Sequence, residues 1–174
     1  GDERRTEIST GELTEFREED LIPESDVIVV VSGRDYAKRL PQDSYRVHNR
    51  GAKGLMTTLT RQDDAVQHLL VTNTHDHVMF FTNQGRVYHA RAFELPESTR
   101  GGRGTPLVNL IRILPEETVT AVVNVPKFDL AENFVLVSRQ GEIKRVALSG
   151  FAAVRANGLL AMDLDEGDEL IQVH

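Results

Sequence analysis

The sequence predicts an all-β protein made of about three propeller-like blades. Three observations carry that expectation. A pattern recurs at intervals of roughly 50 residues. Short apolar runs rich in Val, Ile and Phe alternate with tight polar turns. Signals for helices are sparse.

Taken in order, residues 1–26 are polar and acidic and read as a linker or arm, with a short helix expected around 13–20 and Pro23 closing the segment. The run Val27-Ile28-Val29-Val30-Val31 is β-branched throughout, as in a buried strand. The repeat begins there. Val31-Ser32-Gly33-Arg34-Asp35-Tyr36-Ala37-Lys38-Arg39 aligns with Phe81-Thr82-Asn83-Gln84-Gly85-Arg86-Val87-Tyr88-His89 and with Val137-Ser138-Arg139-Gln140-Gly141-Glu142-Ile143-Lys144-Arg145. Each copy is an apolar strand, a turn, and a strand with basic or aromatic side chains. Gly85 and Gly141 stand where the turn needs a positive φ, and Asp35 replaces them in the first copy because Asp tolerates the left-handed region better than most residues.

A second feature keeps the same register. Arg50-Gly51-Ala52-Lys53-Gly54 matches Arg100-Gly101-Gly102-Arg103-Gly104 at an offset of 50, the offset that relates Ser32 to Thr82. The third copy, Arg155-Ala156-Asn157-Gly158, keeps one Arg and one Gly. The apolar stretches that follow, 55–59, 107–113 and 159–164, are expected to close each unit as strands. The units then run approximately 27–75, 76–127 and 128–174, each the size of a four-stranded propeller blade. Three blades cannot close a ring. Either the chain is a piece of a longer array, or two copies complete each other's sheets through their open edges. The start at Gly1-Asp2-Glu3 without Met points the same way, with Gly1 as a cloning remnant.

Composition narrows the function classes. With no cysteine there are no disulfides or thiolate metal sites, which suits a reducing cytoplasm. No apolar run approaches the ~20 residues that span a bilayer, so no membrane role is expected. The net charge of −7 is acidic, but it belongs to the ends. Residues 1–26 hold ten acids against three bases, and a second acidic cluster comprises Asp163, Asp165, Glu166, Asp168 and Glu169. Between them, residues 27–158 carry seventeen bases against twelve acids, a balance that permits phosphate contacts.

The basic Gly-rich loops are the strongest functional signal. Glycines let a backbone approach a phosphate, and flanking Arg and Lys add charge-assisted bonds. The candidates are Arg50, Gly51, Lys53 and Gly54 in the first loop, Arg100, Gly101, Arg103 and Gly104 in the second, and Arg155 in the third. Singly, each reads as a tight turn with solvated charge. Recurrence favours function, because blades around an axis set such loops in a curved row that double-stranded DNA can follow. Neither of the first two loops ends in Gly-Lys-Ser/Thr, which rejects nucleotide binding by a P-loop. Lys38, Arg39, Arg46, Arg86, His89, Arg91, Lys144 and Arg145 form a second basic set, expected on water-facing strands. His75-Asp76-His77 offers two ligands on one strand face but no further cluster, so a structural turn is favoured over a metal. Tyr36, Tyr45 and Tyr88 suit packing or phosphate contact. No nucleophile–base arrangement stands out. No catalytic residue, metal or cofactor is expected.

Several phrases resemble the C-terminal domain of bacterial gyrase A subunits, members of the type IIA topoisomerases. They are Asp2-Glu3-Arg4-Arg5-Thr6-Glu7-Ile8, Glu19-Asp20-Leu21-Ile22, Thr72-Asn73-Thr74-His75-Asp76-His77, Gly85-Arg86-Val87-Tyr88, residues 95–104, Val108-Asn109-Leu110 and Gly167-Asp168-Glu169-Leu170-Ile171. The resemblance covers essentially the whole chain. It implies a β-pinwheel, with strands exchanged between neighbouring blades, around whose basic rim DNA wraps with positive hand. It also implies a parent enzyme that introduces negative supercoils with ATP and Mg²⁺, its partners being the A-subunit core and a gyrase B subunit. The cleaving tyrosine and magnesium-binding acids of that family belong to other parts of the enzyme, so this stretch is not expected to cut DNA. The family's box reads Gln-Arg-Arg-Gly-Gly-Arg/Lys-Gly. Here Arg50, Gly51, Lys53 and Gly54 fit it, while His48, Asn49 and Ala52 do not, which predicts a weakened contact. The alternatives are the topoisomerase IV counterpart, which selects substrate without full wrapping, and a blade module that binds proteins. The acidic arm is further expected to fold back on the basic loops and compete with DNA.

Overall fold

The computed structural model describes residues 18–42, 64–154 and 156–174. Arg46, Arg50, Gly51, Lys53, Gly54 and Arg155, together with Tyr45, His48, Asn49, Ala52, the stretch 55–59 and most of the acidic arm, lie outside the described residues.

The strands are β1 (Asp26–Ser32), β2 (Tyr36–Pro41), β3 (Val66–Asn73), β4 (His77–Thr82), β5 (Arg86–Arg91), β6 (Thr105–Pro106), β7 (Val119–Val125), β8 (Asn133–Ser138), β9 (Ile143–Ala147), β10 (Leu159–Leu160) and β11 (Leu170–Val173). They form three antiparallel sheets, in the orders β3-β1-β2-β6, β10-β5-β4-β7 and β11-β8-β9. The protein is an all-β array of blades. The first two sheets have four strands, and the third has three among the described residues.

Each sheet is organised by one repeated hairpin. Val31 pairs with Ala37, Phe81 with Val87 and Val137 with Ile143. The turn residue has positive φ in all three, at 58° for Asp35, 75° for Gly85 and 93° for Gly141. The two serine copies add a side-chain bond. Ser32 Oγ accepts from the Tyr36 N–H at 3.3 Å, and Ser138 Oγ accepts from the Glu142 N–H at 3.1 Å.

Burial explains why β1 and β4 read as unbroken apolar runs. Val27, Val29 and Val31 face the second sheet, while Ile28 and Val30 pack with Leu40 on the opposite face. In β4, Val78 and Phe80 face the first sheet, and Met79 and Phe81 face the third. A strand buried on both faces has no polar side to alternate with. β8 differs, since Phe134 and Leu136 are buried while Val135 and Val137 are only half-buried. Phe81, Phe134 and Phe151 meet edge to face, with centroids 5.3–6.1 Å apart, and lock the third sheet onto the second.

The closing strands are not where the sequence pattern puts them. The stretch 107–113 opens with a 3₁₀ turn, Leu107–Asn109, in which the Leu110 and Ile111 N–H groups both donate to the Leu107 carbonyl. That turn brings Leu107 and Ile111 to one buried side, so their spacing is helical rather than alternating. The strands that close the second and third sheets are β7 and β11, and the first is closed by β3. After each described Gly-rich loop the chain instead makes a two-residue strand that joins the preceding sheet. Thr105 pairs with Ala37, and Leu159 pairs with Val87. These are the exchanged strands.

The end of the acidic arm forms a 3₁₀ turn, Glu18–Leu21, and the arm docks on the turn between β3 and β4 and on Arg91 of β5. His75 Nε2 contacts the Ile22 carbonyl at 2.7 Å, and Thr74 Oγ1 donates to the Pro23 carbonyl at 2.9 Å. Among the described residues no helix is long and apolar enough to cross a membrane.

Candidate nucleic-acid interface

The second Gly-rich loop is built against the edge of the first sheet. Arg39 starts the attachment. Its N–H donates to the Pro96 carbonyl at 2.9 Å, and its own carbonyl accepts from the Ser98 N–H at 3.0 Å. Gly104 then presses on β2 with φ +83°, and a Cβ there would lie 2.5 Å from the Ala37 carbonyl oxygen. Only glycine fits that approach. Lys38 lies behind the loop, and the residue is 2% exposed. Its Nζ donates to the carbonyls of Thr99, Arg100 and Gly102 at 3.2, 2.6 and 2.7 Å. Burial pushes the amine's pKa down, and the three carbonyls solvate the ammonium in place of water. In front of the loop Arg100, Gly101 and Arg103 are exposed. The Arg103 guanidinium lies 4.1 Å over the Tyr36 ring, so the aromatic face orients it.

The third loop meets the second sheet in the same place with different chemistry. Gly158 is the counterpart of Gly104, with φ +76°, and a Cβ there would lie 2.8 Å from Tyr88 Cε1. Tyr88 occupies the register position of Lys38. Its hydroxyl donates to Glu117 Oε2 at 2.6 Å. The Glu117 side chain is fully buried, and it also accepts from Thr82 Oγ1 at 3.1 Å and the Leu114 N–H at 3.0 Å. Burial, followed by the bond to Glu117, raises the Tyr88 pKa. Arg86 joins the two sides. Its Nε is 3.8 Å from Glu117 Oε1, and its Nη2 donates to the Asn157 carbonyl at 2.9 Å.

The expected basic set therefore divides. Lys38 does not face water; its strand is covered by the exchanged β6 and the loop. Arg39 is turned towards Glu97, at 3.4 Å, and Arg86 towards Glu117 and Asn157. Arg91 donates to Glu19 of the arm and to His77 Nε2, and packs 5.7 Å from the Phe93 ring centroid. His89 is half-buried against His77, with 2.6 Å between ring nitrogens. These side chains face inward because each sits at a seam between units. Lys144 and Arg145 are exposed on β9, with Lys144 Nζ donating to the Ala161 carbonyl at 2.9 Å. In the His75-Asp76-His77 turn, Asp76 Oδ2 accepts from Thr72 Oγ1 and the Asn73 N–H, and the two imidazoles diverge to different partners. Among the described residues no group of three or more His, Asp or Glu is placed to hold a metal ion.

Two features escaped the sequence. Glu117 sits in a Pro-Glu-Glu-Thr stretch that reads as a solvated turn, and nothing local marks its burial. Arg112 is exposed beside Asn109, His89 and Ala156 in a 540 Å³ groove next to the third loop. It lies outside the repeated motif that selected the other candidates.

The family model of the DNA gyrase C-terminal domain, a beta-propeller, matches residues 26–73, 76–126 and 132–174. The chain belongs to that family. The A subunit of DNA gyrase from Staphylococcus epidermidis is 42% identical over 174 residues, covering 99% of this chain and 20% of that protein. Its Staphylococcus aureus counterpart gives the same identity and coverage. The chain thus spans about a fifth of the length of these relatives. Among solved structures, the C-terminal domain of DNA topoisomerase IV superposes with a TM-score of 0.72 at 28% identity, covering 88% of this chain and 46% of that one. The DNA gyrase A C-terminal domain superposes with a TM-score of 0.62 at 20% identity, covering 86% of this chain and 64% of that one. Both likenesses bear out the β-pinwheel expected from the sequence.

Proposed function

We propose that this chain is a DNA-binding and DNA-wrapping module of the gyrase A protein. In the whole enzyme it supports ATP-dependent negative supercoiling, together with the A-subunit core and a gyrase B subunit in the cytoplasm. The module itself is not catalytic and carries no cofactor; ATP and Mg²⁺ serve other parts of the enzyme.

The observation that supports this most is the second loop. A glycine-permitted backbone sits on the rim, with Arg100 and Arg103 exposed and Arg103 held on Tyr36. The third loop occupies the equivalent place one unit further on. A row of such loops meets a duplex through phosphates rather than bases, so binding weakens steeply with salt and shows little sequence preference. Ligation of nicked circles in the presence of the protein tests the wrap. A rise in linking number is expected, and no change would overturn wrapping.

The topoisomerase IV reading has its own support in the 0.72 TM-score and in the departures at His48, Asn49 and Ala52 from the family's box. It predicts DNA retention without a change in linking number. β9 lies at the edge of the third sheet, with Ile143 69% exposed, and is the edge through which copies would associate. Light scattering at several concentrations tests that association, and a strict monomer would exclude it.

A further inference from the structure

We infer that residues 99–104 form a cradle for a single phosphodiester, and that Lys38 is its positioning residue, acting from behind the loop without touching DNA. This rests on the DNA-binding reading above and assigns the atoms.

The argument is one of peptide geometry. No peptide bond in the described chain is cis. In a trans peptide the carbonyl of one residue and the N–H of the next point in opposite directions. The Lys38 ammonium draws the carbonyls of Thr99, Arg100 and Gly102 inward. The N–H groups of Arg100, Gly101 and Arg103 must then point away from the buried ammonium, towards the exposed side. The Gly102 N–H is used within the loop, donating to the Thr99 carbonyl at 3.1 Å. Successive outward N–H groups make an anion-binding concavity. Nothing lies within 4 Å of where a Cβ would stand on Gly101, so a phosphate oxygen can reach the backbone there. The Arg103 guanidinium on Tyr36 adds a charge beside those donors. An ammonium that draws the loop carbonyls inward thus leaves an outer face of amide N–H dipoles with their positive ends outward. The third loop lacks this device, because Tyr88 stands where Lys38 does and reaches Glu117 instead.

The test uses the whole chain and a short mixed-sequence DNA duplex. On titration the Gly101 and Arg103 amide protons are expected to shift downfield. Gly101→Ala meets open space, so it should denature as wild type yet bind about tenfold more weakly, as expected when charge-assisted bonds to one phosphate are lost. Lys38→Met should abolish the two amide shifts and leave those elsewhere. Lys38 itself should resist reductive methylation with or without DNA. Wild-type affinity in Gly101→Ala would overturn the cradle. A Lys38 amine that is methylated in the free protein and protected by DNA would overturn its positioning role. If Lys38→Met does not fold, Gly101→Ala and the methylation pattern decide. Failure of the wild-type chain to retain DNA at low salt would instead sink the binding reading, and inorganic phosphate acting on the same two amides would then test the cradle by itself.

Discussion

At the junction between the first and second sheets, a buried ammonium holds the incoming loop; at the junction between the second and third, a tyrosine ring and an arginine beside a buried carboxylate do so. The backbone plan is shared. A two-residue strand joins the preceding sheet, and a positive-φ glycine precedes it. The side chains behind the glycine are not shared. Lys38 binds loop carbonyls directly, leaving outward amides and exposed Arg100 and Arg103. Tyr88 and Arg86 centre on Glu117, which binds Thr82 and Leu114 of its own unit. The first junction is organised for the rim, the second for the core. The same exchanged strand can therefore carry an exposed basic loop at one seam and cohesion at the next.

The comparison breaks most readily at Glu117. Glu117→Ala leaves the Tyr88 hydroxyl, the Thr82 hydroxyl and the Leu114 N–H without their buried acceptor, and should cost about 3–5 kcal/mol. Urea denaturation reads it, and a loss below about 1 kcal/mol would remove the core role of the second junction. Next comes Gly158→Ala. A left-handed backbone and the Tyr88 ring together predict a loss of about 2 kcal/mol, whereas Gly101→Ala should fall within about 0.5 kcal/mol. Equal losses for the two glycines would erase the distinction.

A pH series sharpens the comparison at the seam where Arg91 lies. Burial, above all, holds the His77 and His89 pKa values below the ordinary imidazole range; Asp76 and Glu94 oppose it at His77, and at His89 the neighbouring His77 adds to it while Glu94 opposes. Arg91 donates to His77 Nε2, so His77 carries its proton on Nδ1 and donates to His89. Both rings must stay neutral for that chain. The unfolded chain takes up protons below about pH 6.5 while the folded one does not, so stability should fall as pH drops through that value towards the lower folded pKa values. His77→Phe with His89→Phe should flatten the profile between neutral and mildly acidic pH, measured by denaturant midpoint; an unchanged slope would assign it elsewhere, His68 being a further half-buried imidazole with a lowered pKa. The smallest effect is expected at Glu19→Ala. Releasing Arg91 from the arm should raise DNA affinity by about twofold, the scale of one partly exposed charge pair. Unchanged affinity would mean that the arm does not compete with DNA.

Much of this architecture was legible in the repeat. Asp35, Gly85 and Gly141 marked the hairpin turns because a tight turn with positive φ tolerates few residues. The run from Val27 to Val31 marked a strand because β-branched side chains suit a buried pleat. The stretch 107–113 misled because four-residue spacing of Leu107 and Ile111 within a short apolar run is ambiguous between alternation and a single helical turn. Lys38 and Arg91 misled for a different reason. Basic residues on short strands read as solvated unless the covering partner is known, and here the partners are the exchanged β6 with its loop and the acidic arm.

By itself, then, the sequence determined the all-β class, the three-unit repeat, the hairpin turns and the family, since these rest on local backbone preference and on register. Only the tertiary structure decided which charges face the rim and which face the protein. Direction depends on what the neighbouring unit lays over each strand, and that is a contact between residues some 60 positions apart, such as Lys38 with Arg100 and Gly102. Periodicity within one unit carries no information about it.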